Sequence, residues 1–281
     1  MRLGLLAILR DEAARLPRFL ATLEDLESQS GVSELRCSFY ENDSQDATAA
    51  LLSTWLRQRQ GWLQSERLGL PHLKGRDPAR TQRLAAARNQ ALQPLLQHWQ
   101  PEPECEQWLV VVDADVQFTA QQVLALIAVL QAHPAAAMAC ASAEQNVPDL
   151  FGHGAWSYYD TFALVDLAGR RGLTYAALPL WDLQDRAAWL AGRPVAVASA
   201  FGGIAVVSMA LVRRLQLRWN GDGGCEHWAF CAAARRAGPV LACPQVRPRV
   251  LHAQPPRWSV AYRQQRQAQL RSLWLQQGGE R

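Results

Sequence analysis

Asp113 and Asp115 are separated by one residue and follow the apolar run Trp108 to Val112. Such a short, largely β-branched run reads as a strand buried on both faces of a parallel sheet. Along a strand, residues i and i+2 point the same way, so the two carboxylates can converge at its C-terminal end. Open α/β sheets place their ligands at that end. Two neighbouring carboxylates repel unless a cation lies between them, and hard oxygen ligands suit Mg²⁺ or Mn²⁺, which in turn hold phosphate oxygens. Asp is also common in a plain turn after a strand, so the pair by itself leaves both readings open. A second polar cluster, Glu41-Asn42-Asp43-Ser44-Gln45-Asp46, closes the run Leu35 to Tyr40. Acids at the end of a second strand are the usual holders of a ribose or base. One of them, Asp43 or Ser44, could equally serve as a helix N-cap.

The elements that must position these groups alternate. Leu3 to Leu9 reads as a first strand, and Leu16, Phe19, Leu20, Leu23 and Leu26 follow at helical spacing. The strand at 35–40 is followed by a second helical pattern through Ala49, Leu52 and Leu56. Strand, polar turn and helix, twice over, build a parallel sheet. A short strand is expected near Trp62 to Leu63 inside an irregular stretch from Gly61 to Ala79. Helices are expected at Thr81 to Leu96, at Thr119 to Ala132 with Thr119 as its cap, and at Glu226 to Arg236. A further strand is expected at Ala135 to Ala143.

The 281 residues can bury a substantial core, and a chain 49% hydrophobic and 19% charged is globular rather than disordered. The net charge of +4 is carried almost wholly by arginine, with Lys74 the one lysine. Arginine grips phosphate bidentately, though a compositional bias accounts for the same excess. No basic run marks a nucleic-acid surface. Six scattered cysteines show no metal-ligand spacing and read as buried thiols in a reducing compartment. The N-terminal apolar run is short for a signal peptide, and no run of about 18 apolar residues exists for a membrane span. A cytoplasmic location is the expectation.

In order along the chain, "ILRDE", "YENDSQDAT", "RLAAARNQAL", "VVVDADVQF", "YYDTF", "FGGIAVVS" and "GGCEHWAF" resemble a nucleotide-sugar-dependent glycosyltransferase of the GT-A fold. More narrowly the chain is similar to the fungal capsule-type α-1,3-mannosyltransferases and their bacterial relatives, over roughly Leu3 to His252. The resemblance implies an α/β fold with a Rossmann-type, mostly parallel central sheet flanked by helices, and an acceptor-side subdomain. The glycosyltransferase domain would then be 1–254, its nucleotide-binding half about 1–118 and its acceptor-side half about 119–254. A basic amphipathic helix would occupy 255–281.

By the same resemblance Glu41 and Asp43 border the nucleoside, Arg10 belongs to the donor-binding set, and Arg88 and Asn89 lie near the diphosphate and donor sugar. Asp113 and Asp115, with Ala114 as spacer, hold Mn²⁺ or Mg²⁺, and His252 completes the metal shell. Gly202 and Gly203, after the apolar run Val195 to Ala200, border the donor sugar and acceptor by that resemblance, while on their own two glycines permit a close backbone approach or merely a tight bend. Glu226, and next to it His227, stand where inverting relatives carry the group that takes the acceptor's proton. His227 departs from the acidic pair seen there, and Glu226 is also simply an acid in the first turn of a helix. The capsule-type group is a retaining one, and retaining enzymes need no such base, so the stereochemistry stays open. Tyr159-Asp160 suits a sugar face or a core position. The implied donor is GDP-mannose or a UDP-sugar, and the implied acceptor a glycan or glycolipid. The terminal basic helix either packs on the domain or meets a membrane surface. A non-catalytic sugar-nucleotide-binding protein and a sugar nucleotidyltransferase are the alternatives. The second lacks its Gly-rich phosphate loop after the first strand, as a dinucleotide-dependent dehydrogenase would.

Overall fold

In the computed structural model, the apolar run at 108–112 is the centre of β4 (Gln107–Asp113), with Leu109 to Val112 fully buried. Burying each such side chain contributes about 1.5–3 kcal/mol. The structure describes residues 1–73, 77–102, 104–148, 154–173 and 178–250, together with 268, 271, 272 and 275. The elements before β4 are β1 (Arg2–Leu9), α1 (Leu16–Ser28), β2 (Glu34–Asn42), α2 (Thr48–Leu56), β3 (Gly61–Glu66) and α3 (Pro78–His98). After it come β5 (Val116–Gln117), α4 (Ala120–Ala132), β6 (Met138–Cys140), β7 (Glu144–Pro148), β8 (Gly154–Tyr158), α5 (Leu183–Leu190) and β9 (Val195–Val197). The remainder are β10 (Ile204–Ser208), α6 (Met209–Arg214), α7 (Glu226–Ala234), β11 (Val240–Ala242) and β12 (Arg249–Val250).

Among the described residues eight strands form one sheet in the order β3-β2-β1-β4-β10-β6-β11-β9. The four from β3 to β4 are parallel, as the strand–helix alternation predicts. β10 then runs antiparallel to both β4 and β6, so the other half of the sheet is mixed. One apolar cluster packs α3, α6 and α7 on one face of the sheet, and a second packs α1 and α4 on the other. A smaller sheet, β5-β12-β7-β8, stands beyond the end of β4. No helix among the described residues is long and apolar enough to cross a membrane.

Local chemistry accounts for the helix starts. Thr119 and Gln122 form a reciprocal capping box on α4. α3 begins three residues before the expected Thr81, because Pro78 occupies its first turn and Asp77 accepts the Ala79 amide at 2.8 Å. Neither Asp43 nor Ser44 caps α2. Ala47 stands at its N-cap, and Asp46 accepts the Thr48 amide at 2.9 Å.

Candidate functional site

The register brings the chemistry-bearing strand ends level. Ile8 of β1 lies opposite Asp113 of β4, and Leu9 lies opposite Glu41 of β2. Asp113 and Glu41 therefore flank β1 at the C-terminal edge of the parallel strands, two strand spacings or about 10 Å apart. β4 ends at Asp113, and residues 114–115 form a turn rather than continuing the strand. Ala114 is buried in the core beneath that turn. Asp115 lines a cavity of about 180 Å³ with Arg15, Arg18, Phe19, Gln117 and Phe118.

Burial, the Asp113 carboxylate and Glu12 together push Asp115 up to about 7. Arg15 opposes the rise without cancelling it, and a cation beside the two carboxylates would relieve it. Glu12 feels the same field. Burial raises its carboxyl, Arg15 opposes the rise, and Asp46 and Asp113 add to it. Glu12 was missed at the level of sequence, and its signal was its place just past the end of β1, on the ligand-binding edge. Among the described residues no three His, Cys, Asp or Glu side chains gather closely enough to hold a metal. His252 lies outside the described residues. The antiparallel register of β12 with β5 sets Val250 opposite Val116, the neighbour of Asp115.

Behind the Asp113 turn lies a buried charged cluster. Arg88, on α3 and only 2% exposed, donates from Nη2 to Asp113 Oδ1 at 2.8 Å. The same nitrogen stands 3.6 Å from Glu226 Oε1. Glu226 and His227 open α7 and are each 4% exposed. His227 Nε2 is 3.4 Å from Glu226 Oε1, and its ring stacks on Phe201 at 4.0 Å. Arg88 also packs on Phe201, with Cζ 4.9 Å from the ring centre. Burial, and then the Arg88 charge, hold His227 well below its usual range, so the imidazole is neutral.

Phe201 belongs to a turn whose next two residues, Gly202 and Gly203, have φ of 61° and 79°. A Cβ at Gly202 would lie 1.9 Å from the Ala141 carbonyl oxygen, and one at Gly203 2.7 Å from Val116. The Gly203 carbonyl accepts the Asp113 amide at 3.0 Å. Asp160 fastens the turn from the other side, accepting the Gly202 amide at 3.0 Å and the Ala163 amide at 3.1 Å. Gly202 thus packs its backbone against Ala141, and Gly203 packs against the turn that carries Asp113 and Asp115.

The cluster at 41–46 proves to be a brace between loops. Glu41 is buried and accepts the Ser44 amide at 2.7 Å. Asp43 accepts amides of Leu68, Gly69 and Leu70 at 2.7–3.2 Å, together with the Asn42 side chain. Ser44, Asp46 and Thr48 bind the amides of Asp11, Ala13 and Glu12 respectively. Arg10 donates to the Leu70 carbonyl at 2.8 Å and stands 3.8 Å from Asp43. Asn89 is turned away from the Asp113 edge. Its carboxamide exchanges two hydrogen bonds, 2.9 and 3.0 Å, with the Trp219 backbone. Of the sequence-predicted residues, then, Arg88, Asp113, Ala114, Asp115, Gly202, Gly203, Glu226 and His227 come together, while Arg10, Glu41 and Asp43 form the neighbouring loop wall.

The sequence matches the family described as Cryptococcal mannosyltransferase 1 over residues 4–235. No curated protein matches it. Among solved structures, the fold is similar to mannosyltransferase PcManGT from Pyrobaculum calidifontis in complex with GDP-Man and Mn²⁺, at a TM-score of 0.56 and 18% identity. That alignment covers 99% of this chain and 65% of the other. The S. aureus TarS 1-349 structure in complex with UDP-GlcNAc gives a TM-score of 0.52 at 13% identity, covering 92% of this chain and 60% of that one. At these identities the likeness is one of fold, and the chain spans less than two thirds of either structure's length.

Proposed function

The chain belongs to the Cryptococcal mannosyltransferase 1 family, and on that footing we propose that it transfers a sugar from a nucleoside-diphosphate sugar to a glycan or glycolipid hydroxyl. Mannose from GDP-mannose is the first candidate, since the family bears a mannosyltransferase name and PcManGT carries GDP-Man. A UDP-sugar is the second, as in TarS. One observation carries the reading. The Asp113–Asp115 turn closes the central parallel strand level with the Glu41 edge and sets its second carboxyl in a cavity there.

Asp113 and Asp115 would hold Mn²⁺ or Mg²⁺, and His252 is the residue proposed to complete the set, because β12 leads from Val250 toward Asp115. Bound there, the cation supplies positive charge where the departing diphosphate gathers negative charge. The remaining work falls to the chain itself. The loop wall of Arg10, Glu41 and Asp43 shapes the nucleoside side. The Phe201–Gly203 turn lets backbone approach the sugar where a side chain has no room. Arg88 holds Asp113 in orientation through its Oδ1. The basic segment after 254 is proposed to meet a lipid-linked acceptor or a membrane surface.

The test is a thermal-shift panel of nucleoside diphosphates and nucleotide sugars, with and without Mn²⁺. A ligand bound only by the native state raises its melting temperature. One nucleotide should stabilise the protein selectively and only with Mn²⁺, and Asp115→Ala should lose that metal dependence. A panel with no Mn²⁺-dependent response removes the proposal.

A further inference from the structure

Glu226 stands where a proton acceptor is expected, yet both of its oxygens face the protein interior. Oε1 meets Arg88 Nη2 at 3.6 Å and His227 Nε2 at 3.4 Å, and Oε2 lies 3.9 Å from the Cys225 thiol. The side chain is 6% exposed. A general base must come within about 2.6–3.2 Å of the hydroxyl it deprotonates, and an acceptor sugar cannot approach that closely through Arg88, His227 and Phe201. His227 is no better placed, stacked on Phe201 and buried.

Arg88 has the opposite problem. It is a buried cation that would be costly alone. Asp113 accepts its one hydrogen bond to an acid, and Glu226 supplies the second negative charge. Among the described residues its Nε and Nη1 have no hydrogen-bond partner, and Phe201 covers the guanidinium. The hold on Arg88 therefore rests on two carboxylates, one of them a proposed metal ligand.

We infer that Glu226 is a positioning residue that acts through Arg88: the shared guanidinium fixes Asp113 by its Oδ1 and leaves the second oxygen of that carboxylate for the cation. Glu226 divides the Arg88 charge between two acids. Without it, Arg88 draws on Asp113 alone and makes it a poorer metal ligand, as altering the hydrogen-bond partner of a metal ligand does. This role rests on the function proposed above and deepens it. Nothing in it requires Glu226 to touch either substrate.

The experiment measures Mn²⁺ affinity by electron paramagnetic resonance on the full chain, without and with the nucleotide found in the panel, beside transfer kinetics. Glu226→Gln should weaken Mn²⁺ binding about tenfold, and Glu226→Asp, which keeps the charge, should restore most of it. In an Arg88→Gln background the same Glu226→Gln change should alter Mn²⁺ affinity less than about twofold, because the coupling passes through Arg88. Unchanged Mn²⁺ affinity in Glu226→Gln with transfer reduced by about 10²–10⁴ identifies a proton acceptor and overturns the inference. If Glu226→Gln does not fold, Arg88→Gln and the double variant carry the comparison: equal affinities support the coupling, and a further tenfold loss in the double variant defeats it. Wild-type protein that binds no nucleotide with Mn²⁺ sinks the function itself, a different result from intact metal binding in Glu226→Gln.

Discussion

Asp160 accepts two backbone amides, which favour its ionised form, yet its carboxyl is pushed up to about 6. Burial is the larger cause, with Asp113 and Glu226 adding to it. An acid whose folded pKa exceeds its unfolded value binds more protons when folded. Stability therefore falls as pH rises from about 4 to about 6, by roughly 2–3 kcal/mol for this group. Asp160→Asn should remove that share of the slope. Urea unfolding at pH 4.5 and 7.5 should show the wild type losing its advantage over the variant by about 2 kcal/mol at the higher pH; equal differences at the two values would show that the carboxyl titrates normally. The balance that raises Asp160 was not legible in the sequence, because Asp113 and Glu226 lie 47 and 66 residues away along the chain. Asp113 and Asp115 were legible as acids closing a buried strand, while their spacing alone left a plain turn and a cation site equally open. The cluster at 41–46 was legible as a strand end but not as a brace, for its partners at 11–13 and 68–70 belong to other loops.

The turn from Phe201 to Gly203 links β9 to β10 and holds Asp113 through a single carbonyl. Its geometry makes a sharp prediction about side chains. Gly202→Ala must place a methyl 1.9 Å from the Ala141 carbonyl at a φ of 61°. Crowding and left-handed backbone together should cost at least about 3 kcal/mol. Gly192→Ala, at a similar φ of 69° but with no atom of the described residues within 4 Å, should cost only about 1 kcal/mol. Equilibrium unfolding of both variants decides the matter: equal losses would mean that backbone conformation alone, and not the approach of Ala141, demands glycine at 202. The run Val195 to Ala200 was legible as apolar, and the two glycines after it as a close approach or a bend. The break after Val197 was hidden, because Ala198, Ser199 and Ala200 continue the apolar pattern while their backbone turns to pair with Val165. Likewise the parallel strands followed from alternating strand and helix patterns, whereas the insertion of β10 beside β4 did not. Periodicity fixes which residues form a strand and leaves its neighbours undetermined.

At the scale of the whole molecule, that insertion governs how ligand binding is felt. The expected nucleotide half, about 1–118, ends just after β4 and β5, yet β4 finds its second neighbour in β10, ninety residues later. Leu109, Val110, Val111 and Val112 pair with Val207, Val206, Ala205 and Ile204, so the strand carrying Asp113 would be a bare apolar edge without the second half. α3 crosses the same divide, with Thr81 bonded to the Gly221 carbonyl and Asn89 to Trp219. The two halves thus share one sheet and one set of helix contacts, and neither buries its apolar surface alone. The full chain should melt in a single transition, and the nucleotide that binds with Mn²⁺ should move all of it. At 100 times its Kd that ligand adds about 2.7 kcal/mol, or roughly 5–10 °C for a chain of this size. Calorimetry and far-ultraviolet circular dichroism recorded together would show the shift. Two separate transitions, only one of them responding to nucleotide, would mean that β10 is not the strut the sheet order makes it, and that the Asp113 edge is stable without the half that covers it.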